Sequence, residues 1–263
     1  MNINAENIMK ITGIFNANLK GKKFNPAGFN AKHDGREGHW VERQLGVKAN
    51  SENKPDLLGF EVKKEAKSKI TFGDWSPSIA LWKNNKPYAN IKKLDRDDEF
   101  LVYFGKPNDE KSGRFSWSGE PIPKINVFNN FGQIMKVEDN GDIVIMYSFE
   151  KDNRLNKELL IPGYLKKNDL VLAKWPHEDL KRRVEDKFND NGFLICFKDT
   201  FGTYIKIGFG DPFCFEDWLE LVKSGDIYFD SGMYQGNPRP YSQWRSTNIF
   251  WDKLLTDSFP KNA

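Results

Sequence analysis

The stretch Pro55-Asp56-Leu57-Leu58-Gly59-Phe60-Glu61-Val62-Lys63-Lys64 sets two carboxylates and a lysine on one short strand, and its reading decides what is built around it. Side chains alternate across a strand, so Phe60 and Val62 share one face while Glu61 and Lys63 share the other. The apolar pair anchors in a core and the charged pair faces a cleft. Asp56 stands where the strand begins, behind a proline that favours a strand start over mid-ladder pairing, and converges on the same cleft. Clustered carboxylates of this kind hold Mg²⁺, which acts as a Lewis acid and lowers the pKa of a bound water. A lysine two residues from a ligand adds positive charge near the attacking water or a non-bridging phosphate oxygen. Asp56 and Glu61 are therefore candidate metal ligands, Lys63 a candidate catalytic lysine, and phosphodiester cleavage the chemistry they suit. The same letters also fit a surface strand whose charged face is solvated, so the neighbouring sequence has to decide.

Upstream, Gly38-His39-Trp40-Val41-Glu42-Arg43-Gln44-Leu45-Gly46 reads as a helix end, with Val41 and Leu45 stacked at i,i+4 and Gly46 as its stop. Glu42 lies beside that apolar stripe and adds a further carboxylate to the cleft, or else pairs on the surface with a nearby Arg or Lys.

Together, Gly38-x3-Glu42-x2-Leu45-Gly46, a short polar spacer, Pro55-Asp56 and Gly59-Phe60-Glu61-Val62-Lys63 resemble the MvaI/BcnI/MutH-like group of type II restriction endonucleases in the PD-(D/E)xK nuclease superfamily. The resemblance implies an active site made of Glu42, Asp56, Glu61 and Lys63, with Mg²⁺ as cofactor and double-stranded DNA as substrate. It further implies a monomer on DNA that cuts the two strands one at a time, and a cognate DNA methyltransferase that protects the host's own sites. The likeness runs on through Lys67-Ser68-Lys69-Ile70-Thr71-Phe72 and Trp75-Ser76-Pro77, which look like the family's next core strand, with Lys69 placed among the DNA-binding residues. It returns near the C-terminus and is not traceable from about Asn84 to Lys187.

Composition sets outer limits. A chain of 263 residues is long enough for one large domain or two lobes. A net charge of +3 requires any electrostatic footprint for DNA to be concentrated on one face. The 21 Phe, 8 Trp and 8 Tyr point mainly to a packed interior. Cys196 and Cys214 have no CxxC spacing and read as reduced thiols, and His33, His39 and His177 lack zinc-ligand spacing. With no signal peptide and no apolar run of membrane-spanning length, a cytoplasmic protein without membrane contact is expected.

The middle of the chain reads as β-rich, with strand-like runs at Glu99–Phe104, Ile143–Phe149, Leu170–Ala173 and Phe193–Phe197. Asp139-Asn140-Gly141-Asp142 signals a tight hairpin. Lys181-Arg182-Arg183 falls on a helix over Glu178 to Phe188, and its acidic neighbours favour a solvated face over a phosphate contact. Phe215, Trp218, Leu219 and Val222 recur at helical spacing before Gly225, and Ile227–Asp230 alternates as a strand.

That strand delivers a long polar segment, Ser231 to Asn248. Its two prolines favour an extended chain, on which Arg239, Tyr241, Gln243 and Arg245 share one side. Arginine pairs bidentately with guanine O6 and N7 and glutamine does the same with adenine, so the set suits major-groove reading or phosphate clamping. By position the segment, with Asn237, resembles the family's DNA-recognition region; an ordinary surface loop is the plainer alternative.

The expected architecture is an α/β PD-(D/E)xK core with a mixed β-sheet flanked by helices, plus a β-rich recognition lobe. Residues 1–105 would form the nuclease core and 106–263 the middle and recognition region. The expected activity is Mg²⁺-dependent, site-specific hydrolysis of double-stranded DNA. Two alternatives stand beside it: a MutH-like nicking endonuclease of mismatch repair, and a non-catalytic DNA-binding module on a nuclease fold.

Overall fold

A computed structural model describes residues 3–30, 35–47, 53–83 and 93–260. His33, part of the polar spacer before Pro55 and the segment that starts at Asn84 lie outside them. In chain order the elements begin with α1 (Ile3–Asn18), α2 (Arg36–Gln44), β1 (Glu61–Lys64), β2 (Lys69–Asp74), β3 (Ile79–Ala80), α3 (Leu101–Phe104), β4 (Lys106–Asn108), β5 (Arg114–Trp117), β6 (Phe131–Val137) and β7 (Ile143–Asp152). They continue with α4 (Lys157–Leu160), β8 (Leu170–Trp175), α5 (His177–Phe188), β9 (Phe193–Lys198), β10 (Tyr204–Gly210), α6 (Phe215–Ser224), β11 (Tyr228–Ser231), β12 (Met233–Tyr234), β13 (Ser242–Thr247), α7 (Asn248–Lys253) and β14 (Leu255–Phe259).

The chain divides into two compact units, each assembled from separate stretches. The first comprises Met1–Ile70, Arg182–Asp217 and Ser246–Ala263; the second comprises Thr71–Lys181 and Trp218–Arg245. The boundary read from sequence after residue 105 falls inside the second unit. A linear boundary has no counterpart in the first, because its sheet draws on strands from distant parts of the chain.

That sheet has the order β1-β9-β10-β14. β1 runs parallel to β9, with Glu61 opposite Phe193 and Lys63 opposite Ile195, while β10 is antiparallel to both β9 and β14. The result is a mixed sheet with β1 at its edge. Ile11 and Phe15 of α1 and Leu19 just past its end recur at four-residue intervals, and with Trp40 and Val41 of α2 and its C-cap Leu45 they pack with Phe60, Val62, Leu194, Cys196, Tyr204, Ile207 and Phe209. The strand alternation expected from sequence is therefore realised: the apolar half of β1 joins this core.

The second unit is β-rich. It contains the antiparallel sheet β3-β8-β7-β6, the three-stranded sheet β12-β5-β4, and β11-β13-β2. Its centre is a chain of aromatic edge contacts, with ring centroids 5.9 Å apart for Trp75 and Trp218, 5.2 Å for Trp218 and Trp244, 5.4 Å for Trp244 and Trp175 and 4.8 Å for Trp175 and Phe229. Each such pair adds about 0.5–1.5 kcal/mol beyond area burial, so the tryptophans serve as core. The predicted hairpin joins β6 to β7, with Val137 paired to Ile143 and Gly141 at φ +83°. Asp142 closes it and also caps α5, its Oδ1 accepting the His177 N–H at 2.7 Å.

Two local expectations change. Glu99–Phe104 is a π-type turn (Arg96–Phe100) running into α3, not a strand. Asp95 starts it by accepting the Asp97 and Asp98 N–H groups, both at 2.9 Å, and Phe100, Leu101 and Phe104 fall on one buried side. An unbroken apolar run does not distinguish strand from helix, and the cap decided. The polar segment Ser231–Asn248 is not extended throughout: it forms β12, a turn and bend, then β13 paired antiparallel to β11.

Candidate active site

Asp56 is placed by a two-residue turn. Leu57 and Phe60 exchange backbone hydrogen bonds of 3.0 and 2.9 Å, and the turn residues Leu58 and Gly59 sit at φ +49° and +82°. The strained Leu58 is held through its carbonyl, which accepts from Asn191 Nδ2 at 2.9 Å, and glycine is favoured at 59 by its φ of +82°, where a Cβ would also displace the side-chain ends of Asn191 and Asp190. The chain thus doubles back so that Asp56 Oδ2 accepts the Val62 N–H at 2.9 Å. Burial, reinforced by the negative charge of Glu61, pushes the Asp56 carboxyl up to about 6.

Glu61 and Lys63 occupy the face of β1 opposite the core of α1 and α2. Both are buried, and Lys63 Nζ donates to Glu61 Oε1 at 2.7 Å. A second ammonium, Lys187 of α5, reaches the same oxygen at 2.5 Å. Burial works against ionisation of Glu61, but Lys63 and Lys187 outweigh it and hold the carboxyl below its ordinary value. Lys63 is pulled below its usual range chiefly by burial, with Glu61 opposing. Its ammonium also lies 5.7 Å from the centre of the Phe188 ring.

Glu42 completes the cluster. Its carboxyl is raised by burial first and then by the negative charge of Glu61, with Lys63 and Lys187 acting in the other direction. One turn earlier on α2, Glu37 accepts from Lys198 at 2.8 Å and from Tyr204 Oη at 2.9 Å and pairs with Lys64 at 3.2 Å. This clamp fixes α2 against the sheet and so fixes where Glu42 stands.

Among the described residues no three His, Cys, Asp or Glu side chains form a ready metal cage. A Mg²⁺ site does not require one, since the ion keeps several waters and takes one or two carboxylates plus substrate phosphate. Asp56 and Glu61 fit that pattern. Glu61 Oε2 is buried without a hydrogen-bond partner among the described residues, and an orphaned buried acceptor beside desolvated carboxylates is what a cation would satisfy.

The four residues expected in the active site, Glu42, Asp56, Glu61 and Lys63, therefore come together in the first unit. Lys187 was not anticipated. It stands three residues after Val184 and next to Phe188, both fully buried, so it borders the apolar stripe of α5; that helical spacing was the available signal.

The recognition candidates are more dispersed. Lys69 opens β2 and is half-buried. In the second unit, Arg245 donates to Asp230 at 2.8 Å and pairs with Gln243, and its guanidinium carbon is 5.3 Å from the centre of the Tyr241 ring. Tyr241, Gln243 and Arg245 are thus grouped as expected, while Arg239 lies outside β13, exposed on a bend. Asn237 is engaged in the turn, donating to the Gly232 carbonyl at 3.0 Å and accepting the Arg239 N–H at 3.1 Å.

The sequence profile described as LlaMI restriction endonuclease matches residues 19–259. The chain is 48% identical over 271 residues to the type II restriction enzyme ScrFI of Lactococcus lactis subsp. cremoris, covering 98% of this chain and 99% of that protein. Among solved structures it is similar to the restriction endonuclease MvaI in a complex with its cognate DNA substrate, at a TM-score of 0.57 and 12% identity over 98% of both chains. That last likeness shows the fold: a mixed α/β architecture with several sheets flanked by helices.

Proposed function

From the premise that the chain belongs to the LlaMI restriction endonuclease family, we propose that it uses Mg²⁺, held by Asp56 and Glu61, to hydrolyse phosphodiester bonds at a short recognition sequence in double-stranded DNA. The chain is a type II restriction endonuclease, and that class implies dependence on a divalent metal ion. The observation that carries the site assignment is the buried Glu61 with two ammonium groups on one oxygen and none on the other.

When bound, the cation supplies Lewis acidity at the scissile phosphate and a water of lowered pKa. Lys63, fixed against Glu61 Oε1, orients and polarises the water and the phosphate. Glu42 would assist at the metal or its water shell. Lys187 offsets carboxylate charge and fixes the Glu61 rotamer, leaving Oε2 for the metal. On the second unit, Arg239, Tyr241, Gln243 and Arg245 read bases or clamp phosphates, and Lys69 contacts the backbone. The enzyme acts as a monomer that cuts each strand in turn, with a cognate methyltransferase protecting host sites.

Digestion of long unmethylated DNA with purified protein and Mg²⁺, with EDTA as control and the ends sequenced, tests the activity. Discrete metal-dependent fragments are expected. Nicks confined to hemimethylated sites would favour the mismatch-repair alternative, and intact DNA under binding conditions a non-catalytic module. Asp56→Ala or Lys63→Ala is expected to abolish cleavage and leave binding nearly intact; substantial residual cleavage would refute the site assignment.

A further inference from the structure

The second unit contains five arginines, at positions 96, 114, 154, 239 and 245. Three are occupied. Arg96 bonds Asp97 and the Asn237 carbonyl, at 2.9 and 2.8 Å. Arg154 binds the buried Asp152 through Nε and Nη2, and Arg245 binds Asp230 and Gln243. Arg239 is exposed on its bend. Arg114 differs from all of these: among the described residues its guanidinium carbon makes the shortest cation–ring contact, 3.8 Å from the centre of the Tyr234 ring, and its Nε is buried there without a hydrogen-bond partner. Asp109 and Glu110 stand in the preceding turn.

A guanidinium N–H removed from water with no acceptor is costly, and such a group in a folded protein calls for an explanation. Stacking on tyrosine fixes the guanidinium plane without using its donors, and with Nε enclosed it is the terminal Nη pair that is held in that plane for two coplanar acceptors. The backbone explains the stack. Met233 and Tyr234 of β12 pair with Trp117 and Ser116 of β5, and Phe115 and Gln235 are joined by hydrogen bonds from both backbones, 2.7 Å to the Gln235 side chain and 3.0 Å to the Phe115 carbonyl. Arg114 is therefore built onto the same sheet as the start of the polar segment that carries Asn237 and Arg239.

We propose that Arg114 is a DNA-contacting residue, its fork taking a pair of adjacent acceptors: O6 and N7 of a guanine, or two oxygens of a backbone phosphate. Tyr234 positions it. This role rests on the reading of the chain as a site-specific DNA binder, which the digestion experiment tests separately: wild-type protein that yields no discrete fragments defeats that reading, whereas a wild type that cuts discretely leaves the Arg114 variants to decide this one.

The test is fluorescence anisotropy of Arg114→Ala, Arg114→Lys and Tyr234→Leu on the cut-site duplex and on a scrambled duplex, with Ca²⁺ replacing Mg²⁺ to prevent cleavage. Arg114→Ala is expected to weaken cut-site binding roughly 5- to 150-fold. Arg114→Lys, which keeps the charge and loses the fork, should recover little of it. A loss restricted to the cut-site duplex, with cleavage tolerating substitution at one base pair, identifies the guanine. An equal loss on both duplexes, with a salt slope shallower by about one, identifies the phosphate. Unchanged binding by both Arg114 variants on both duplexes overturns the proposal, and if the alanine variant does not fold, unchanged binding by Arg114→Lys alone overturns the need for the fork.

Discussion

Replacing Asp56 with asparagine tests the electrostatics of the proposed cleavage site without a substrate. The Asp56 carboxyl is pushed by burial and by Glu61 from an ordinary 3.8 up to about 6. At about 1.36 kcal/mol per pH unit, ionising it in the folded protein costs up to about 3 kcal/mol at pH 8. Below about pH 4 the group is protonated in both folded and unfolded chains and the penalty is absent. Between about 4 and 6 the folded chain keeps a proton that the unfolded chain has lost, so stability falls as pH rises; above about 6 the loss is complete. Asparagine keeps an acceptor for the Val62 N–H and carries no charge to desolvate. In EDTA at pH 8, Asp56→Asn is expected to melt roughly 5–10 °C above wild type by differential scanning fluorimetry. At pH 4.5 the gap should shrink to about a third. Saturating Ca²⁺ should raise the melting temperature of wild type and not that of the variant, since only the former binds the ion. Equal melting in EDTA at pH 8, or a gap that persists undiminished at pH 4.5, would refute the account of Asp56 as a desolvated carboxylate awaiting a cation.

Lys187→Met leaves Glu61 with one ammonium group, and single-turnover cleavage should slow about 10- to 100-fold, with Lys187→Arg retaining more activity; a wild-type rate in Lys187→Met would remove Lys187 from the site. Gly59→Ala forces a Cβ to within 2.4 Å of Asn191 and Asp190 at φ +82°, so urea denaturation should show a loss of more than about 1 kcal/mol, together with a drop in cleavage as Asp56 shifts. If Arg245 reads a base, Arg245→Ala should cost roughly 1–3 kcal/mol of binding and relax specificity at one position. A uniform loss on all duplexes would make Arg245 a phosphate contact.

What could be read from the sequence was whatever a local pattern encodes. The alternation Phe60, Val62 against Glu61, Lys63 predicted β1 and its charged face, Val41 and Leu45 predicted α2, and Asn140-Gly141 predicted the turn between β6 and β7. The run Glu99–Phe104 failed because its apolar residues are continuous and carry no period; the deciding cap lies at Asp95, outside it. Lys187 was not singled out: the acidic residues of α5 were weighed only against Lys181-Arg182-Arg183, and the contact of Lys187 with Glu61 is tertiary. Pairing of β1 with β9 is likewise absent from any local pattern, and without it the first unit cannot be seen to be assembled from separate stretches. The polar segment could be recognised as a candidate for DNA contact, but its division into β12, a turn and β13 depends on partners in β5 and β11.

Glu61 and Lys187, bonded to one another, lie 126 residues apart in the chain, and the Glu61 N–H is received by the Gly192 carbonyl. During synthesis the nascent protein therefore exposes Asp56, Glu61 and Lys63 long before the strand and helix that fix them have left the ribosome. A chain that stalls, or is clipped before about residue 190, carries Asp56, Glu61 and Lys63 without the partners that hold them. For a restriction endonuclease, the proposed cleavage site is then assembled only in the finished chain.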